Sequence, residues 1–291
     1  MSRSSALSIA LALIMLSGGC VPPEEEIVLA RDYSDASQMG QVQERGKLIA
    51  GVAAGLPEGT GPGGDGPGAV EGFMVDLATS IADTLDVDLV IEHASSDDLL
   101  ELVEDGEIDV AFPLTPVTEK LARRAGPTDP YIVAHQRLLV PTKSGIDKVD
   151  DLTSEAVVCP LQQEEMQVSL PDLDPSIETI EQRDPAGCVS ALEKGRAEVV
   201  TGPELDLVRI HQAIKGYAIT GEALTTAGYS IVVGRDTGTW KGFVEGVLGR
   251  YKSEGRWLIS YNRWLAPYLG RDAEPPRMTV EEAAALYPRD L

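Results

Sequence analysis

Apolar and polar positions along this chain fall into short blocks whose period switches repeatedly between that of a strand and that of a helix. Lys47 to Ala53 (Lys-Leu-Ile-Ala-Gly-Val-Ala) is a continuous apolar run of strand length. Phe73, Leu77, Ile81 and Leu85 then recur every four residues, which predicts an amphipathic helix over 73–85 with one buried face. Val87 to Glu92 reads as the next strand, Leu99, Leu100 and Val103 as a short helix stopped by Gly106, and Ile108 to Pro113 as a third strand. Strand–helix–strand–helix–strand is the succession of an α/β domain with a largely parallel sheet.

Two further apolar strands, Arg137–Pro141 and Gly228–Gly234, flank a second set of the same kind. That set comprises a strand at Ala156–Cys159, a helix at Ala186–Lys194 and a strand at Ala197–Thr201. After Gly234, a helix carries Trp240, Phe243, Val244, Val247 and Tyr251 on its apolar side, followed by a segment with Trp257, Ile259, Tyr261 and Trp264. A last short helix is expected from Val280 to Leu286. The pattern breaks most sharply at Gly55–Gly68, where seven glycines and three prolines in fourteen residues predict a mobile loop. A phosphate-binding role for that loop is excluded, because no Gly-Lys-Ser/Thr closes it.

The N-terminus has its own logic. Arg3, the apolar run Ala6–Leu16 and Ser17-Gly18-Gly19 read as a secretory signal, since a membrane-spanning helix needs about 20 apolar residues. The cysteine at position 20, directly after the small residues, resembles the lipobox of bacterial lipoproteins, although Leu16 lies one place further from it than usual. The resemblance implies acylation of Cys20 and removal of residues 1–19. Residues 20–41, opening Val-Pro-Pro-Glu-Glu-Glu after the cysteine, read as an acidic disordered tether. The body would therefore sit outside the cytoplasm, lipid-anchored to the outer face of the cell membrane.

Charge and cysteine use agree with that compartment. The chain holds 24 Lys and Arg against 47 Asp and Glu, which argues against nucleic acid and anionic lipid headgroups as partners. Its 43% hydrophobic content supports an ordinary core. With Cys20 lipidated, Cys159 and Cys188 are left as an even pair in an oxidising space, either bridged or as two buried thiols. His93, His135 and His211 have no ligand spacing to one another or to a cysteine, so no metal or cofactor is called for.

Five segments in register resemble the family-3 extracellular solute-binding proteins, the amino-acid-binding type that feeds ABC importers. They are Arg45-Gly-Lys-Leu, Glu71-Gly-Phe-Met-Val-Asp-Leu-Ala, Leu102-Val-Glu-Asp-Gly-Glu-Ile-Asp109, Asp129-Pro-Tyr131 with Gln136-Arg-Leu-Leu-Val140, and Leu192-Glu-Lys-Gly-Arg-Ala-Glu198. Val158-Cys159 and Cys188-Val-Ser-Ala-Leu192 look like the glutamate- and glutamine-binding branch, in which the two cysteines are bridged. The resemblance implies a two-lobe, periplasmic-binding-protein-like α/β fold of type II, with two crossing hinge strands and ligand in the cleft. Lobe 1 would comprise 42–135 and 231–291, and lobe 2 would comprise 136–230. The partners would be a small polar solute and an ABC importer permease with its ATPase, and the chain would be a monomer.

The family's amino-acid site does not carry over intact. The arginine of its Thr-x-x-Arg motif, which grips a carboxylate with a bidentate fork, is replaced by Leu121 in Thr118-Glu119-Lys120-Leu121. Pro203 stands where an aspartate takes the ammonium, and Leu56 lies nearest the usual aromatic position. Lys120 and Glu204 would replace the two charges if each backbone shifted by one residue. Thr115, Thr118, Gln162 and Gln163 are the remaining candidate ligand contacts, each equally readable as a turn or surface residue. Two other readings follow: a sensing or envelope-contact module that has lost its transport site, or an enzyme. For the last, no serine or cysteine is paired with a histidine, and carboxylate pairs such as Glu164 with Glu204 are common by chance in so acidic a chain.

Overall fold

The computed structural model describes residues 32–54, 56, 58–60, 70–153, 156–161, 170, 174–235, 237–270 and 272–286. Most of the Gly55–Gly68 loop, the candidates Gln162 and Gln163, and Cys20 lie outside the described residues.

The body begins with helix α1 (Gln38–Arg45), capped by the Ser37 hydroxyl, which accepts from the Gly40 N–H. This corrects the expectation of a tether to residue 41, because Met39 and Val42 are buried in the first core. Strand β1 (Lys47–Ala53) follows. A short antiparallel ladder of β2 (Glu58–Thr60) and β3 (Val70–Gly72) holds the two ends of the glycine-rich segment together. Then come α2 (Phe73–Leu85), β4 (Asp88–Ala94), α3 (Ser96–Glu104), β5 (Val110–Phe112) and α4 (Glu119–Arg124). Strand β1 pairs in parallel with both β4 and β5.

The longest strand, β6 (Gly126–Pro141, 16 residues), leads into the second half. That half contains β7 (Val157–Pro160), β8 (Glu178–Thr179), α5 (Pro185–Glu193), β9 (Val199–Pro203), α6 (Glu204–Ala213) and β10 (Tyr217–Thr220). The chain returns through β11 (Thr226–Val233) to α7 (Gly238–Ser253), α8 (Arg256–Trp264), α9 (Ala266–Leu269) and α10 (Val280–Ala285). Hydrogen-bonded order is β4-β1-β5-β11-β6-β9-β7-β8, with β10 also on β6.

Strand β6 belongs to both halves. Residues 126–135 pair with β11, and residues 136–141 pair with β9 and β10. The result is a two-lobe α/β fold in which β6 and β11 cross between the lobes. In the first lobe, Leu48, Val52, Leu77, Ile81, Val110, Phe112, Tyr229 and Trp240 form one core. In the second lobe, alternation along each strand divides the apolar residues between two faces. Leu139, Cys159 and Val200 face one side with Leu192 and Ile210, while Leu138, Val158 and Val199 face the other with Leu152 and Ile177. Cys159 on β7 and Cys188 on α5 are joined in a disulfide.

The C-terminal segment runs around the outer edge of β6. Trp257 Nε1 donates to the Tyr131 carbonyl at 2.7 Å. Lys252 Nζ donates to the carbonyls of Pro130 (2.8 Å) and Pro276 (3.0 Å). These two side chains occupy edge carbonyls that would otherwise be open to another strand. Beyond them the Val280 N–H donates to Asp129 Oδ1 at 2.9 Å, and α10 packs Val280, Ala283 and Ala284 on Val117. Only glycine fits β11 at position 228, where a Cβ would lie 2.9 Å from the Ala283 Cβ. Among the described residues no helix is long and apolar enough to cross a membrane.

Candidate functional site

Where β6 passes between the lobes it borders a cavity of about 430 Å³. Val133, His135 and Arg137, at alternate positions of β6, line it together with Ile132. Glu204, the first residue of α6, closes it from the second lobe. Trp257 and Tyr261 of α8 form a wall from the first lobe, their rings stacked at 5.1 Å. The segment after α9, including Asp272 and Glu274, forms the rim. The aromatic wall is anchored from behind by Phe73, which meets Trp257 edge-on at 5.8 Å and Tyr261 at 6.3 Å.

The electrostatics centre on Arg137 and Glu204. Arg137 Nε lies 3.0 Å from Glu204 Oε2. Yet Nε makes no hydrogen bond of acceptable angle among the described residues, so the contact is an ion pair with a misdirected N–H. Burial pushes the Glu204 carboxyl up to about 7, against the opposing pull of the Arg137 charge and the His135 backbone N–H. Burial also lowers His135, with Arg137 adding to the effect, and its Nδ1 lies 3.1 Å from Thr226 Oγ1. Tyr261 is raised to about 12 by burial and by the Glu204 charge, so it is a neutral phenol at physiological pH. The site therefore offers one guanidinium, an easily protonated carboxyl, a phenol and two rim carboxylates.

Among the described candidates read from the sequence, only Glu204 lines the cavity. Lys120 is exposed on α4 and does not line this cavity. Leu121, at the arginine position, is a core residue of the first lobe, and Leu56 is buried in the same core. Thr118 spends its hydroxyl on the N-terminus of α4, accepting from the Leu121 N–H at 3.1 Å. Thr115 is half-buried in the turn after β5. Arg137 lies in the Gln136–Val140 segment of the family resemblance, which gave it no role of its own, and no motif signalled Tyr261 or the rim carboxylates. They come from three distant segments, which meet at the crossing of β6.

Comparison with known proteins matches this architecture. Residues 60–267 match the bacterial extracellular solute-binding proteins, family 3. The glutamine-binding protein of an ABC transporter from Bacillus subtilis (strain 168) is 25% identical over 201 residues, 68% of this chain and 74% of that protein. A glutamine-binding protein from Geobacillus stearothermophilus is 25% identical over 207 residues, 68% of this chain and 76% of that protein. Among solved structures, an ancestral cationic amino acid solute-binding protein superposes with a TM-score of 0.64 at 20% identity, covering 78% of this chain and 99% of the other. A mutant of the T. maritima protein ArgBP gives 0.58 at 24% identity, with the same coverage. A two-lobe sheet crossed by β6 and β11, matched over 60–267, places this chain in the bacterial extracellular solute-binding proteins of family 3.

Proposed function

We propose that this chain is a lipid-anchored solute-binding protein that takes a small polar solute, an amino acid or a related compound, between its lobes and delivers it to the permease of an ABC importer. The crossing of β6 and β11 supports this reading, because two strands passing between two lobes are the construction a closing cleft requires. Acylation would fall on Cys20, with the following residues as a spacer, and the carrier would act as a monomer without catalysis. Lobe 1 would be residues 42–135 and 231–291, and lobe 2 residues 136–230, with Thr115, Gln162 and Gln163 among the solute contacts at the strand ends.

The test is thermal unfolding of the signal-free chain against amino acids, dicarboxylates, amines, opines and sugars. A solute at 100 times its Kd adds about 2.7 kcal/mol of stability, a shift of several degrees. A shift with α-amino acids supports the proposal in full. A shift with another class keeps transport and removes the amino acid. A second reading, a sensing or envelope-contact module, is favoured by Leu121 and Pro203 at the two charge positions; the absence of any shift selects it.

A further inference from the structure

Helix α6 is shared between the lobes. Leu207 and Ile210 turn into the second-lobe core, while Leu205 and Val208 are buried in the first. Ile219 on β10 packs against both. Helix α9 meets this face from the first lobe, where Leu265 and Ala266 at its start are buried in the core, and it rests on α6 and β10. Tyr268 and Leu269 of α9 pack against the same core, and both follow residue 267, the last matched to the family.

One ring pair lies across this contact. Tyr268 meets His211 of α6 edge-on, with ring centroids 5.4 Å apart and planes at 81°. His211 is held for that contact by its Nε2, which donates to the Tyr217 carbonyl at 2.8 Å and ties α6 to β10. Strands β6 and β11 alone would leave the lobes free to bend and twist about the crossing. An apolar contact beside the strands resists any motion that parts it, because separating α9 from α6 and β10 opens Ile219, Tyr268 and Leu269 to water. Pressing it closer is resisted as well. Leu205 and Val208 are 1% and 0% exposed, and side chains packed to that degree have no room to give.

We propose that the contact of α9 with α6 and β10 is a restraint on the hinge, a third junction that holds the lobes in one arrangement before any solute binds. It narrows the range of inter-lobe positions that the empty chain visits. A solute that favours another arrangement works against it, and one that favours this arrangement finds the lobes already placed. Weakening the contact therefore changes solute affinity without any change in the strand-end loops.

The test is double electron–electron resonance on the solute-free, signal-free chain, with nitroxides at Glu101→Cys and Glu193→Cys. Cys20→Ser leaves the bridged pair as the remaining natural cysteines. Glu101 on α3 and Glu193 on α5 are exposed, one in each lobe. The expected result is one narrow distance distribution in the otherwise unaltered chain. Tyr268→Ala and His211→Ala should each broaden it or move its mean by more than about 2 Å. Tyr268→Phe, which keeps the ring, should reproduce the unaltered distribution. Tyr268 and His211 are half-buried and approach the contact from opposite lobes, so if circular dichroism shows one variant unfolded, the other decides. An unchanged distribution in either folded alanine variant overturns the proposal, as does a Tyr268→Phe distribution as broad as that of Tyr268→Ala. No solute enters the measurement, so its outcome is separate from that of the solute panel.

Discussion

Glu204 is an acid held in a place that disfavours its charge. Burial raises its folded-state pKa to about 7, from an ordinary 4.5. Between those values the native state binds more protons than the unfolded chain, so this residue's contribution to stability falls as pH rises through the window. Over the whole window the loss is on the order of 3 kcal/mol. Glu204→Gln removes the titration while keeping an acceptor for the His135 N–H. Thermal midpoints of the variant and wild type should converge near pH 4 to 5 (roughly the unfolded pKa), with the variant higher by several degrees at about pH 8. Equal midpoints across that range would mean that the carboxylate is solvated or better paired than the geometry indicates. Glu204 was visible in the sequence as a candidate because Pro203 precedes it where an aspartate was expected. Its partner was not visible, because Arg137 looks like any polar residue at a strand start until the register sets it beside Gly202.

Elements with one buried face were legible; elements shared between cores were not. Helix α2 has the expected bounds, Phe73–Leu85, because its four-residue repeat faces a single core. Helix α6 hides its period by burying Leu205 and Val208 in the first-lobe core and Leu207 and Ile210 in the second-lobe core, so no single stripe appears. The first half of β6 was missed because Pro127 and Pro130 argue against a strand. An edge position, with β11 on one side and the Trp257 and Lys252 side chains on the other, tolerates the missing N–H groups. The disulfide ties β7 to α5 across a separation of 29 residues, and the chain-entropy estimate for such a loop is about 3 kcal/mol. C159S/C188S should lose roughly that amount in urea titrations followed by circular dichroism, with α5 and β7 losing protection first in hydrogen exchange. An unchanged midpoint would show that packing around Cys159 and Cys188 already restrains the denatured chain.

At the scale of the molecule, the lobes are joined by β6 and β11 and by α6, which packs into both cores, so how far their unfolding is coupled is a measurable property. All three tryptophans, Trp240, Trp257 and Trp264, lie on α7 and α8 of the first lobe. Indole fluorescence therefore reports that lobe, whereas backbone circular dichroism reports both. In C159S/C188S the circular dichroism transition should begin at lower urea than the fluorescence transition; coincident curves would mean that the lobes unfold as one unit. The fold class was legible from strand and helix order, and the wrapping of the C-terminal segment was not, since it depends on edge carbonyls that no sequence pattern marks.

The sheet order carries a consequence for how the chain reaches this state. Strand β11, residues 226–233, lies between β5 and β6 in the middle of the first-lobe sheet, although it is made after the entire second lobe. A chain emerging N-terminus first can complete β6 to β10, residues 126–220, from contiguous sequence, but β5 has no partner on its β11 side until the later segment arrives. The lobe that begins the molecule is therefore the last to close. As the chain emerges, its half-built sheet has an open edge at β5, exposed until residues 113–225 have followed, and that interval is when the protein is most exposed to mispairing and proteolysis.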